Sequence, residues 1–182
     1  MRIIQPIVSQ WEKFMSQSSL LTQFYAQRYR EVVEKEVALA NITPEDLVLN
    51  IGCGALPFTA IHAARLTGAR VIALDRDETA VLKARSCLAG MGLGEKVQVV
   101  LSDAAAEIPK DFTVAIVALQ AEPKLAIAER LLQAARPGAR LVFRRPHKSY
   151  ARHYDCLPEA LVATNSVKQD KRTFDASILL TK

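Results

Sequence analysis

Two glycines and two carboxylates, spaced along three apolar runs, are the residues of this chain whose types and intervals suggest chemistry. The glycines sit in Gly52-Cys53-Gly54-Ala55-Leu56-Pro57, directly after the run LVLNI at 47–51. A glycine-rich turn between a strand and a helix lets the backbone come close to a nucleotide. In a dinucleotide fold the pattern is G-x-G-x-x-G, whose second glycine lets the backbone approach the pyrophosphate and whose third permits close helix–strand packing there. Here Pro57 takes that place. Proline suits the first turn of a helix but leaves fewer free amides for phosphate. The turn Gly52, Cys53, Gly54 therefore suits an adenosine that arrives without a pyrophosphate, as in S-adenosyl-L-methionine, rather than NAD or FAD. A small side chain is enough to explain Cys53, since no group that would activate its thiol is in view.

The carboxylates follow at intervals that fit the same ligand. Asp75 ends VIALD, 23 residues after Gly52. An acidic side chain there can accept both ribose hydroxyls, whereas capping the next helix falls more naturally to Asp77. Arg76 follows it and joins the cofactor-binding set. Ser102-Asp103-Ala104 ends VQVVLS. A carboxylate at Asp103 can take the adenine amine, with backbone amides reading the ring edge; the competing role is another helix cap.

These residues need a particular scaffold. From residue 47 short apolar runs alternate with helical stretches: strands at 47–51, 71–75, 97–102, 112–119 and 139–145, and helices at about 57–67, 77–90 and 122–135. The strand runs are continuously apolar, as in a parallel sheet covered by helices on both faces. LVATNSVKQ (161–169) and DASILLTK (175–182) read as a closing antiparallel pair. Residues 9–39 read as helix, interrupted near Ser16–Ser19, with Leu21, Phe24, Tyr25, Arg28, Val32, Glu36 and Leu39 along one stripe and Asn41 as the stop. The expected fold is α/β: a doubly wound, Rossmann-like, mostly parallel sheet with a C-terminal antiparallel strand pair and an N-terminal helical cap (1–41). Residues 1–182 are expected to form one domain.

The length of 182 residues suits one sizeable core. The net charge is +5, and the excess is uneven: residues 136–182 hold 10 Lys/Arg against 4 Asp/Glu. Such a tail is either a solvated basic face or a mouth that attracts anions. Cys53, Cys87 and Cys156 lie far apart without zinc spacing, so no metal is expected and a reducing, cytoplasmic setting is. No stretch approaches the ~20 apolar residues of a membrane span, so no membrane partner is expected.

The turn and the strand ends together resemble the class I S-adenosylmethionine-dependent methyltransferase fold over residues 42–182. Within it, "IGCGALPFTAI", "VALQAEPK" after the fourth strand and "RRPHKSYA" after the fifth are similar to segments of the nicotianamine synthase family. That resemblance implies transfer of the aminocarboxypropyl group, rather than the methyl group, to a small amine or amino-acid-like acceptor. It also implies a catalytic tyrosine on the helix before the first strand, where Tyr29 fits best and Tyr25 second. The acidic residue usual at the end of the first strand is Asn50 here, whose amide can still meet the methionine moiety. The family also has a helical domain before the sheet, and with roughly 40 residues ahead of the first strand much of it is expected to be missing here.

Other polar residues read more plainly. Glu36 reads first as a surface residue and second as a partner for a substrate amine. His62 reads as a solvent-facing or core-edge residue. His147, with Arg144 or Arg145, can hold a substrate carboxylate, but strand alternation points the two arginines to opposite faces, so at most one can serve. Methyl transfer to a small molecule remains the alternative activity, and a non-catalytic S-adenosylmethionine-binding module a further one. A nucleic-acid substrate is disfavoured by "ALQAEPK" after the fourth strand and by the lack of an aromatic-rich basic strip. A homodimer completing the N-terminal stripe is possible.

Overall fold

The computed structural model describes residues 19–158 and 161–182, with the side chains of residues 19–26 and 28 left aside. Seven strands form one sheet in the order β3-β2-β1-β4-β5-β7-β6. They are β1 (Leu47–Ile51), β2 (Arg70–Asp75), β3 (Val97–Leu101), β4 (Val114–Val117), β5 (Arg140–Pro146), β6 (Asn165–Lys168) and β7 (Phe174–Thr181). β1 to β5 run parallel. β7 runs antiparallel to β5, and β6 antiparallel to β7. The expected doubly wound sheet with its closing antiparallel pair is the observed one. The last pair is shorter than its sequence suggests, because Leu161–Thr164 precede β6 rather than belong to it.

Alternation along each strand sorts the core into two layers. Val48, Val71, Ala73, Val114, Ile116 and Val142 face α1 (Ser19–Leu39), α2 (Phe58–Thr67) and α3 (Glu78–Ala89). Leu49, Leu74, Ala115, Val117, Leu141 and Phe143 face α4 (Lys124–Ala134). All four residues of β4 are buried, which is why its sequence is apolar throughout.

The helix ends explain where the strands can begin. Asn41, in the left-handed region at φ 47°, stops α1. Arg140 of β5 then donates to the Ala40 and Asn41 carbonyls (2.8 and 2.9 Å) and pairs with Asp46, tying that end to the sheet. Asp77 caps α3 by accepting from the Thr79 and Ala80 amides, as its sequence position suggests. α4 lacks a cap of its own, and the Asp155 carboxylate accepts from the Lys124 amide instead (2.5 Å).

Candidate functional site

The parallel strands point their carboxyl ends at one crevice, the usual ligand position of such sheets. A cavity of about 400 Å3 lies there. Its floor is the β1–α2 turn. Gly52 and Gly54 adopt φ 75° and 66°, a region that favours glycine. A Cβ on Gly52 would stand 3.2 Å from the Cβ atoms of Ala118 and Ala121, so the turn is pressed against the end of β4. A Cβ on Gly54 would meet nothing within 4 Å, which leaves open space above that amide.

Asp75 fastens the turn to β2. Its Oδ2 accepts from the Gly54 amide at 2.7 Å and its Oδ1 from the Asp77 amide at 3.0 Å. Each oxygen keeps a lone pair for a ligand. The Gly52 and Cys53 amides are spent on the Leu74 carbonyl (2.9 and 3.0 Å). Two of the turn's amides are thus unavailable to phosphate, in keeping with a ligand that lacks one. Burial pushes the Cys53 thiol up to about 12, so it is held protonated.

Ser102, Asp103 and Ala104 form the β3 side of the cavity. Asp103 turns the chain by accepting from the Ala105 amide at 2.9 Å, and the Ser102 hydroxyl donates to the Glu107 carbonyl at 3.0 Å. Arg76 reaches across from β2 and donates to the Glu122 carbonyl (3.1 Å), joining two sides of the mouth. Asn50 does not line the cavity; its Nδ2 faces the Ile116 carbonyl at 3.4 Å, and its Oδ1 is buried without a partner among the described residues.

Tyr29 of α1 lines the cavity beside Phe58, ring centroids 5.9 Å apart. Tyr25 is on the same helix, with its side chain outside the described residues. Behind Tyr29 the structure corrects the reading of Glu36 as a surface residue. Glu36 is fully buried and holds Arg144 through two hydrogen bonds of 2.8 Å. The reason is positional: Glu36 lies on the inward stripe of α1, four residues after Val32, and the guanidinium waits there. Arg144 and Arg145 do point to opposite faces. Arg144 is buried and Arg145 pairs with Asp175, so neither lines the cavity. His147 lines a separate, open cavity of about 620 Å3 between the Lys148–His153 turn of 3-10 helix and the β6–β7 connection. His62 is buried at the core edge and stacks on Phe58 at 6.4 Å.

Lys124 is a residue that sequence reasoning missed. The residue is 1% exposed, and its ammonium donates to the carbonyls of Ala118, Leu119 and Ala121 at 3.0, 2.8 and 2.6 Å. The three donors of the ammonium thus meet three acceptors, fixing the loop that carries Gln120 and Glu122 to the cavity. Burial lowers its pKa to about 8. A lysine just after a proline, at the start of a helix that follows a buried strand, was the available signal.

A family model for ribosomal protein L11 methyltransferase (PrmA) matches residues 32–144, more than half of the chain. The chain belongs to this methyltransferase family. S-adenosyl-L-methionine is the cofactor of the fold, and neighbouring structures hold it or S-adenosyl-L-homocysteine. An L-histidine 2-aminobutanoyltransferase of Pseudomonas aeruginosa is 32% identical over 115 residues, which are 63% of this chain and 44% of that protein. MtNAS, solved in complex with MTA and tNA, superposes with a TM-score of 0.78 at 25% identity, covering 96% of this chain and 65% of that one. An RNA methyltransferase of Salinibacter ruber gives a TM-score of 0.67 at 21% identity over 83% of this chain and 90% of its own, a likeness of fold alone. The chain thus spans less than half the length of the histidine transferase and about two thirds of MtNAS. The residues present fit the cofactor: an open space over Gly54, a carboxylate with free lone pairs at Asp75 and polar groups at the β3 end.

Proposed function

We propose that the protein transfers the aminocarboxypropyl group of S-adenosyl-L-methionine to the nitrogen of a small amine or amino-acid-like acceptor. The observation that carries this reading is a single cavity bounded by the Gly52–Gly54 turn, Asp75 and Tyr29. Asp75 would hold the ribose hydroxyls. Asp103 and the Ala104 backbone would meet the adenine, and Gly52, Cys53 and Gly54 would seat the sugar and sulfur. Arg76 would fix the mouth against the Glu122 backbone. Asn50, behind the wall, would act on the methionine moiety only through β1. Tyr29 would be the catalytic residue that touches the polar end of the reactants.

When bound, the cofactor supplies an electrophilic carbon beside its sulfonium: methyl transfer leaves S-adenosylhomocysteine, and transfer of the amino-acid arm leaves methylthioadenosine. Which carbon reacts depends on which one the protein places in line with the nucleophile. The proton lost by the attacking amine leaves to water at the open mouth or to a general base. The histidine 2-aminobutanoyltransferase and MtNAS favour transfer of the arm. The family match favours the second reading, methyl transfer. A cytoplasmic setting, read from three unpaired cysteines, belongs to the same proposal. Among the described residues no helix is long and apolar enough to cross a membrane.

The two readings separate on one product. The protein is incubated with S-adenosylmethionine and a pool of amino acids, and the released nucleoside is weighed by mass spectrometry. Methylthioadenosine is the expected product. S-adenosylhomocysteine would replace this reading by methyl transfer, and cofactor binding without turnover would leave a binding module.

A further inference from the structure

The buried guanidinium behind the cavity wall lies over the Phe174 ring (5.6 Å to its centroid) and does not reach the cavity. Arg144 is 2% exposed and Glu36 0%. Burying such a pair is expensive, and an apolar pair of similar volume often does as well for stability. Nearly every donor of Arg144 is nevertheless aimed. Nε and Nη2 hold the two Glu36 oxygens, and Nη2 also meets the Thr59 hydroxyl at 3.0 Å. The Ser177 hydroxyl donates to Glu36 at 2.7 Å, and Gln169 donates to Ser177 at 3.1 Å. The guanidinium is therefore clamped from α1, α2 and β7. Its remaining nitrogen, Nη1, donates to the Tyr29 hydroxyl at 2.6 Å, and the guanidinium carbon lies 5.1 Å from the Tyr29 ring centroid.

That bond decides what Tyr29 can offer. Its oxygen is occupied as an acceptor on the Arg144 side, so its own proton must point away from the arginine. Among the described residues no acceptor takes that proton, while the residue lines the cavity. A cation behind a hydroxyl polarises it and strengthens the bond it donates.

Resting on the reading of Tyr29 as a reactant-contacting residue, we propose that Arg144 is a positioning residue that commits the Tyr29 hydroxyl to donate into the cavity, where it takes a carboxylate. Arg144 acts only through Tyr29. The carboxylate belongs to an amino-acid moiety, either that of the cofactor's arm or that of the acceptor, and ligands that carry or lack it tell the two apart.

The test is calorimetric titration of wild type, Tyr29→Phe, Arg144→Lys and the double variant. The ligands are S-adenosylhomocysteine, methylthioadenosine (which lacks the arm) and L-histidine added to protein saturated with methylthioadenosine. A hydrogen bond to a charged group predicts a loss of about tenfold in S-adenosylhomocysteine affinity for each single variant. Methylthioadenosine affinity stays at the wild-type level, and the double variant is no weaker than either single one, because both remove the same interaction. If the losses fall on L-histidine while both nucleosides are unaffected, the proposal holds with the acceptor as the source of the carboxylate. Should Arg144→Lys not fold, Arg144→Met/Glu36→Leu removes both charges together, and the same tenfold loss is expected. Additive losses, equal losses for methylthioadenosine, or arginine variants that bind every ligand as wild type does would overturn it. A wild-type protein that binds neither nucleoside would instead overturn the transferase reading on which it rests.

Discussion

The cavity has two walls built on different principles. The Gly52–Asp75 wall is local: a turn and the carboxylate that fastens it lie 21 residues apart, on adjacent strands. It is made of backbone, a half-buried carboxylate and space. The Tyr29 wall is assembled from afar, with Arg144 bonded to residues 85, 108 and 115 positions away. Apart from the half-buried Tyr29 at its face it is buried, and its polar groups, the Tyr29 proton excepted, satisfy one another. The difference teaches that the first wall can change ligand affinity at a smaller cost to the fold, whereas the second couples ligand and fold.

The sharpest way to break that contrast is to unpair the buried ions. Glu36→Ala leaves Arg144 uncompensated in the core and should cost about 3–5 kcal/mol in denaturant unfolding. Arg144→Met/Glu36→Leu should recover most of that loss. If Glu36→Ala melts like wild type, the network is not a structural keystone.

Asp75→Ala should do the reverse. Losing hydrogen bonds to a charged group is worth about 1.5–3 kcal/mol each, so S-adenosylhomocysteine affinity should fall about tenfold or more. Stability should fall by less than in Glu36→Ala, because the Gly54 and Asp77 amides that lose the carboxylate are half-buried and exposed, where water can replace it. Unchanged affinity would remove Asp75 from the ribose role.

Within the local wall, the glycines differ. Alanine in the left-handed region costs about 1–2 kcal/mol at either site. Gly52→Ala should be the worse of the two for stability, because its Cβ also crowds Ala118 and Ala121 at 3.2 Å. Gly54→Ala should fold better yet obstruct the nucleoside, since the space it fills is the cavity's. Equal unfolding midpoints would contradict the close approach at Gly52.

The smallest effect near neutral pH belongs to Lys124. Its pKa falls from 10.5 to about 8 through burial, so between those values the unfolded chain holds a proton the folded chain has begun to release. This lysine's contribution therefore makes stability rise with pH over about 8 to 10.5, and Lys124→Met should abolish that part of the slope. A variant whose stability-pH curve matches wild type there would show that the ammonium is not buried as described.

The contrast between the walls also explains what the sequence made legible. Strands β1 to β5, the turn at Gly52 and the carboxylate at Asp75 could be read because each depends on near neighbours: apolar runs, a glycine pair, a strand-end acid. Burial of Glu36 was half legible. Its place on the α1 stripe pointed inward while its charge pointed outward, and only the distant Arg144 settles which prevails. For Arg144 alternation gave only a face opposite that of Arg145, and neither which face nor which partner. Lys124 gave little sign, because its three acceptors are backbone carbonyls that no residue type announces.

The most direct measurement is a crystal structure of the protein with S-adenosylhomocysteine. The account predicts the ribose hydroxyls on the Asp75 carboxylate, the adenine beside Asp103 and the amino-acid arm running toward Tyr29. A nucleoside lodged in the His147 cavity, or one with its sugar away from Asp75, would contradict it.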